Sequence, residues 1–223
     1  METSIYVKHQ TSIPRQYKND MGEVYFSHID NDASDDYEHF FSEREWTKIK
    51  RMYRNPVRMA SIISGRMLIK KLIAERSGNA FLFKDIEVLN GTDGIKGPPR
   101  LYIKGELTET SVSISYADDY VCVGISDKAF VGVDIERVRF FPNCFVNMFY
   151  VKENAETINC MDGIGQTEMW CIQEAYLKAM GIGFEVGLKG LHIRLSDLEQ
   201  CDAKAISSSE KGICQVICFV NKD

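Results

Sequence analysis

The apolar and polar positions of this chain fall into segments of two periods. From Pro56 to about Glu75, Ala60, Ile63, Met67, Leu68, Ile69, Leu72 and Ile73 recur at helical spacing. Pro56 suits the first turn of that helix, and Ser77-Gly78-Asn79 ends it. A shorter helix is expected over Glu43–Met52. A third is expected from about Glu168 to Met180, where Trp170, Ala175, Tyr176 and Ala179 alternate with polar positions and Gly181 stops the run. Alternating or short apolar runs predict strands at Ile5–His9, Val24–Ile29, Phe81–Leu89, Leu101–Ile103, Val112–Tyr116, Tyr120–Ile125 and Val131–Ile135. Three more follow at Gly190–Leu195, Ala203–Ser207 and Ile213–Val220. The order is strand, helix, strands, and then the same again. Phe26-Ser27-His28-Ile29-Asp30 precedes the first long helix much as Val131-Gly132-Val133-Asp134-Ile135-Glu136 precedes the second. This echo predicts two related halves, residues 1–128 and 129–223, in one compact unit.

Composition narrows the function classes. The 223 residues are 44% hydrophobic and 26% charged, which suits one large domain or two small halves sharing an interface. With 27 basic against 32 acidic residues the net charge is −5, which argues against a general nucleic-acid binder. No apolar run reaches the roughly 18 residues that span a bilayer, and the first ten residues lack a charged-then-apolar layout. The expectation is a soluble, cytoplasmic protein with no membrane partner. The seven cysteines include no Cys-x-x-Cys pair and mostly sit in apolar runs, so free, buried thiols are expected. On a strand, Cys214 and Cys218 would lie roughly 13 Å apart, too far for a disulfide or one metal. Histidines 9, 28, 39 and 192 show no zinc-ligand spacing.

Three features carry candidate chemistry. Asp134 and Glu136 stand two apart on a predicted strand, so both carboxylates face one side while Val133 and Ile135 face the core. Like charges so placed repel unless a cation or proton intervenes, and oxygen ligands of this kind suit Mg²⁺ beside a phosphate. A half-exposed edge strand ending in solvent is the alternative. Glu174 and Lys178 are one helical turn apart. They form either a surface ion pair or a third ligand (or base) with a lysine for a departing phosphate. Finally, Lys48, Lys50, Arg51, Arg54, Arg58, Arg66, Lys70 and Lys71 fall in a stretch without one acid. That stretch is either a solvated helix face or a site for a polyphosphate or an acidic protein.

Together these segments resemble the 4′-phosphopantetheinyl transferase superfamily, in its stand-alone two-lobed branch. Gly132–Glu136 matches its Gly-(Ile/Val)-Asp-Ile-Glu, and Trp170–Gly183 its Trp-x-x-Lys-Glu-(Ser/Ala)-x-x-Lys-x-x-Gly-x-Gly. Residues 64–75 look like the first-lobe helix. Gly97-Pro98-Pro99-Arg100-Leu101 stands where Gly-Lys-Pro is usual, and Ser113-Ile114-Ser115-Tyr116 where Asn-(Ile/Val)-Ser-His is usual. The register holds from roughly residue 40 to 195.

The resemblance implies an α+β fold of two similar lobes in a pseudo-two-fold arrangement. Each lobe would be an antiparallel sheet packed on a long helix, with the active site in the cleft between. It implies a monomer that transfers the phosphopantetheine arm of coenzyme A, with Mg²⁺, to a serine of an acyl or peptidyl carrier protein. Asp134, Glu136 and Glu174 would hold the metal, Glu174 would accept the serine proton and Lys178 would stabilise the leaving phosphate. Arg58, Arg66, Lys96, Arg100, Ser115 and Tyr116 would bind the coenzyme. Three positions depart from the pattern. Gln173 replaces the motif lysine, Tyr116 replaces the histidine that contacts the nucleotide 3′-phosphate, and Pro98 replaces the lysine of Gly-Lys-Pro. Each removes a positive or potentially positive group, so weakened coenzyme recognition with retained metal chemistry is expected. Two alternatives stay open: a degenerate member that binds coenzyme A or a carrier without transfer, and a cleft repurposed for another small molecule.

Overall fold

The computed structural model describes residues 5–10, 15–30, 35–91, 97–150, 152–181, 203–210 and 212–222. Its strands are β1 (Ile5–Gln10), β2 (Gln16–Lys18), β3 (Glu23–His28), β4 (Ile86–Asn90), β5 (Pro99–Ile103), β6 (Glu106–Ala117), β7 (Tyr120–Ser126), β8 (Ala129–Arg137), β9 (Ala203–Glu210) and β10 (Ile213–Asn221). The helices are α1 (Glu43–Met52), α2 (Pro56–Arg76), α3 (Asn143–Phe149), α4 (Lys152–Asn159) and α5 (Gly163–Ala179). One sheet runs β2-β3-β7-β6-β5-β4 and the other β1-β9-β10-β8. All pairings are antiparallel except that of β1, which joins β9 in parallel and makes the second sheet mixed. The first described strand therefore completes the sheet built from β8, β9 and β10.

Side-chain alternation stacks these elements in layers. Val121, Val123 and Ile125 of β7 turn toward Ile69, Leu72 and Ile73 of α2, while Cys122 between them turns the other way. There it meets Val131, Val133 and Ile135 of β8 and Ile217 and Phe219 of β10, so the two sheets pack face to face. The opposite face of β10 (Cys214, Val216, Cys218, Val220) buries itself against Cys171, Ile172 and Ala175 of α5. The succession is helix, sheet, sheet, helix. Gly132 marks the tightest approach: a methyl group placed there would lie 1.7 Å from the Ala175 carbonyl oxygen. Only glycine lets α5 settle on β8 at that point.

The two N-terminal helices start where their caps dictate. Ser42 accepts from the Glu45 N–H at 3.2 Å, and Asn55 accepts from Arg58 N–H at 3.1 Å with Pro56 at the first helical position. In contrast, α5 begins at Gly163, five residues before the expected start. Asp162 caps it through Gly165 N–H at 2.8 Å. Near its start Gln166 and Thr167 are polar yet buried, because they bond the backbone of Phe141 and Arg139. The run Phe81–Leu89 likewise splits into a 3₁₀ turn at Phe83–Asp85 and β4. Helices α3 and α4 were not expected, and the strand predicted at Gly190–Leu195 lies outside the described residues. Of the thiols, Cys122, Cys171, Cys214 and Cys218 are buried as expected, whereas Cys144 and Cys160 are exposed.

Part of the basic stretch turns inward. Lys70 is fully buried and donates to Glu45 Oε2 at 2.7 Å, to Phe83 O at 3.0 Å and to Ile86 O. Glu45 Oε1 accepts from Val88 N–H at 3.0 Å and stands 3.5 Å from Arg66 Nε. Burial pushes the Glu45 carboxyl up and the Lys70 amine down, and each is partly offset by the other. This network ties α1, α2 and β4 together. Replacing one member strands the rest in a dry interior. Lys70→Met is expected to lower unfolding free energy by about 3–5 kcal/mol in urea titration, and adding Glu45→Leu to recover much of it. A loss below about 1 kcal/mol would show that the pair carries no such constraint.

Candidate functional site

Because β8 alternates, Gly132, Asp134 and Glu136 point toward α5, and α5 returns Trp170, Glu174 and Lys178 at helical spacing. These side chains form one wall of a cavity of about 480 Å³. Asp134 is only 3% exposed, which excludes a strand ending in solvent. Lys178 reaches across to it: Nζ lies 2.7 Å from Asp134 Oδ1, 2.9 Å from Ser115 Oγ and 3.1 Å from Val133 O. Its ion-pair partner is thus the strand carboxylate, while Glu174 on its own helix feels it only at longer range. Ser115 Oγ donates to the same Oδ1 at 2.8 Å. The Trp170 indole bonds the Glu136 carboxyl, and Arg139 stands 3.5 Å from Glu136 Oε2.

Two carboxylate oxygens on this wall are buried without any hydrogen-bond partner, Asp134 Oδ2 and Glu174 Oε1. Burial first, and then the Asp134 charge, raise the Glu174 carboxyl from 4.5 to about 7, with Lys178 opposing the shift. Glu136 is raised for the same two reasons, with Arg139 and Lys178 opposing. Burial alone would lower Lys178, but the Asp134 charge and hydrogen bond overcome it and raise the amine above its ordinary value. The wall therefore carries more negative than positive charge and has unused oxygen donors. No group of three Asp, Glu, His or Cys side chains among the described residues stands close enough to enclose a metal as placed. The donor chemistry nevertheless fits a hard cation, because both unpartnered oxygens border one cavity.

The facing wall comes from α2 and the first sheet: Tyr53, Arg58, Ile62, Arg66, Asn90, Pro99, Ile114 and Tyr116. Arg66 is buried and donates to Val88 O at 3.1 Å and Asn90 Oδ1 at 2.9 Å. Arg58 is exposed, and its guanidinium carbon lies 5.2 Å from the Tyr116 ring centre. The Tyr116 hydroxyl is buried with no partner, tucked where Gly65 leaves room: a methyl group on Gly65 would come within 2.5 Å of it. Arg100 is exposed and lines a neighbouring cavity of about 590 Å³, which shares Pro99 and Lys178 with the first. Lys96 lies outside the described residues. Gln173 is buried with neither amide atom paired. Sequence reasoning missed Trp170 as the partner of Glu136 and Asn90 as a lining residue. The alternation of Ser111, Ser113 and Ser115 was its one available hint of a polar seam.

Residues 130–215 match the model of the 4′-phosphopantetheinyl transferase superfamily. The L-aminoadipate-semialdehyde dehydrogenase-phosphopantetheinyl transferase of Mus musculus is 28% identical over 151 residues, 61% of this chain and 47% of that protein. A 4′-phosphopantetheinyl transferase of Bacillus pumilus is 25% identical over 137 residues, 60% of this chain and 55% of its own length. A Synechocystis sp. protein whose name carries the same activity provisionally is 23% identical over 158 residues, 68% and 61% of the two chains. The matched region thus spans roughly half to three-fifths of these relatives.

The raised Glu174 carboxyl makes stability depend on pH with a definite sign. Between its unfolded value near 4.5 and its folded value of about 7, the folded protein keeps a proton that the unfolded chain releases. Stability therefore falls as pH rises through that window and levels off above it. In chelator-treated buffer, Glu174→Gln is expected to melt higher than the parent at about pH 8, the gain vanishing toward about pH 4.5. A difference that stays constant across this range would contradict the assignment.

Proposed function

We propose that the chain is a member of the 4′-phosphopantetheinyl transferase superfamily, whose model its residues 130–215 match, and that it moves the phosphopantetheine arm of coenzyme A onto a serine of an acyl or peptidyl carrier protein. The observation that carries this reading is the pair of buried, unpartnered oxygens on Asp134 and Glu174 beside the Lys178 ammonium. In this reading residues 1–128 and 129–223 are two lobes, and the cavity between α2 and α5 is their cleft.

Asp134, Glu136 and Glu174 would hold Mg²⁺, which supplies charge neutralisation of the coenzyme's diphosphate when bound. The carrier serine oxygen attacks the phosphorus next to the pantetheine. The bond from that phosphorus to the bridging oxygen breaks, and adenosine 3′,5′-bisphosphate leaves with the bond's electron pair. Glu174, with its carboxyl near neutrality, takes the serine proton directly or through one water. Lys178 stays cationic at neutral pH and offsets negative charge gathering on the leaving phosphate. Arg58 lies open on the opposite wall and would meet the nucleotide's outer phosphate. The exposed cations Lys50, Arg51 and Arg54 adjoin that wall and would draw an acidic carrier despite the net charge of −5.

Incubation with coenzyme A, Mg²⁺ and a panel of apo-carrier proteins should add one phosphopantetheine to at least one of them by intact mass. Asp134→Ala is expected to slow that transfer by about 10²–10³-fold at an unchanged fold. Full activity in that variant would remove the metal assignment. No mass gain on any carrier, with coenzyme A still bound, would instead make this a binder without transfer.

A further inference from the structure

Among the described residues, strand β8 is the outer strand of its sheet, paired on one side only, with β10. Its other edge lies along β6 of the first sheet, but no backbone ladder joins the two. Serine hydroxyls replace the ladder. Ser111 Oγ accepts from Val131 N–H at 3.0 Å, and Ser113 Oγ accepts from Val133 N–H at 3.1 Å. The next hydroxyl in the alternation, Ser115, passes the backbone and donates to Asp134 itself. Lys178 donates to an acceptor on the same edge, Val133 O. Val133, the residue before Asp134, is therefore held at its N–H by β6 and at its carbonyl by α5. Oδ1 is pinned by two donors, which leaves Oδ2 as the one unpartnered oxygen of that carboxylate.

We propose that Ser113 is a positioning residue for the cation site. By fixing the backbone of Val133 it sets the direction in which Asp134 presents Oδ2. This rests on the reading of Asp134 as a metal ligand given above. Both Val133 and Ser113 are buried, so water has little access to repair a lost bond. With the hydroxyl gone, the Val133 N–H is stranded and the peptide turns to relieve it. Asp134 is the next residue and turns with it. Ser111 provides an internal control. It makes the same kind of bond to the same strand, but two residues earlier, at Val131, which has no functional neighbour.

Mn²⁺ binding to the intact chain, followed by the loss of the free-ion electron paramagnetic resonance signal, separates the two roles. Ser113→Ala should lower the thermal midpoint by about 2–4 °C, since it removes one buried hydrogen bond, and Ser111→Ala, whose bond is half-buried, should lower it by about as much or less. Only Ser113→Ala should weaken Mn²⁺ binding, by about tenfold or more, as expected for a group that orients a ligand. Ser111→Ala should stay within about twofold of the parent. Equal loss of affinity in both variants, or none in Ser113→Ala, overturns the proposal. Absence of Mn²⁺ binding by the parent overturns it together with the metal reading of Asp134. Selective loss in Ser113→Ala from a parent that modifies no carrier leaves the proposal standing and removes only the transfer reaction.

Discussion

The structure turns on a charge imbalance that the fold holds in place. Asp134, Glu136 and Glu174 approach one cavity, and Lys178 is the ammonium placed among them. Burial, and then the Asp134 charge, make Glu174 and Glu136 hold their protons more tightly than free side chains would, and Lys178 only partly opposes this. A buried ion pair is weak evidence for stability, since apolar residues of equal volume often serve as well. Here the same lysine also caps a carbonyl on the β8 edge, whose N–H groups at Val131 and Val133 go to Ser111 and Ser113. The cavity's electrostatics and that strand edge thus share one side chain. A cationic ligand would relieve the imbalance, and burial of the carboxylates strengthens their pull on it.

How far this was legible in the sequence varied with the physics behind each element. Helix α1 appeared with both expected ends, Glu43 and Met52, because Ser42 is a strong cap and the helix turns one clear apolar face inward. The alternation Val131, Val133, Ile135 against Gly132, Asp134, Glu136 also assigned faces correctly, since a strand buried on both sides still alternates. Helices α3 and α4 were invisible because seven and eight residues hold too few turns to establish a period. The spacing of Phe141, Phe145 and Phe149 was a usable trace, for the Phe145 ring packs against both others and Trp170, with centroids at 5.0, 4.5 and 5.1 Å.

Charged residues were the hardest to place. The run from Lys48 to Lys71 reads as one basic surface, yet Lys70 and Arg66 belong to the interior. Their fate depends on Glu45, some twenty residues away and itself buried, and no local pattern reveals that a carboxylate waits there. The partner of Lys178 was hidden in the same way. Helical spacing pointed to Glu174, whereas the shorter path runs to a strand forty-four residues earlier. In both cases a local neighbour looked sufficient, and tertiary packing supplied a better one.

The departures from the family pattern take on physical form in the cavity's second wall. Tyr116 directs its hydroxyl into the space left by Gly65 and offers the cavity a neutral aromatic surface. Arg66 lines the cavity but spends its guanidinium on Val88 and Asn90. Arg58, lying over the Tyr116 ring, is the wall's arginine with no carboxylate paired to it among the described residues. A phosphate arriving there would meet one mobile guanidinium backed by an aromatic face in place of a fixed array of donors. Such a contact tolerates variation in how the anion sits, because an arginine stacked on a ring keeps its donor edge free. The opposite wall allows less latitude, since Ser113, Ser115 and Lys178, which position Asp134, are each committed to fixed hydrogen bonds. Anion recognition on the α2 wall is therefore the adaptable half of the cavity, and the carboxylate wall around Asp134 the rigid half.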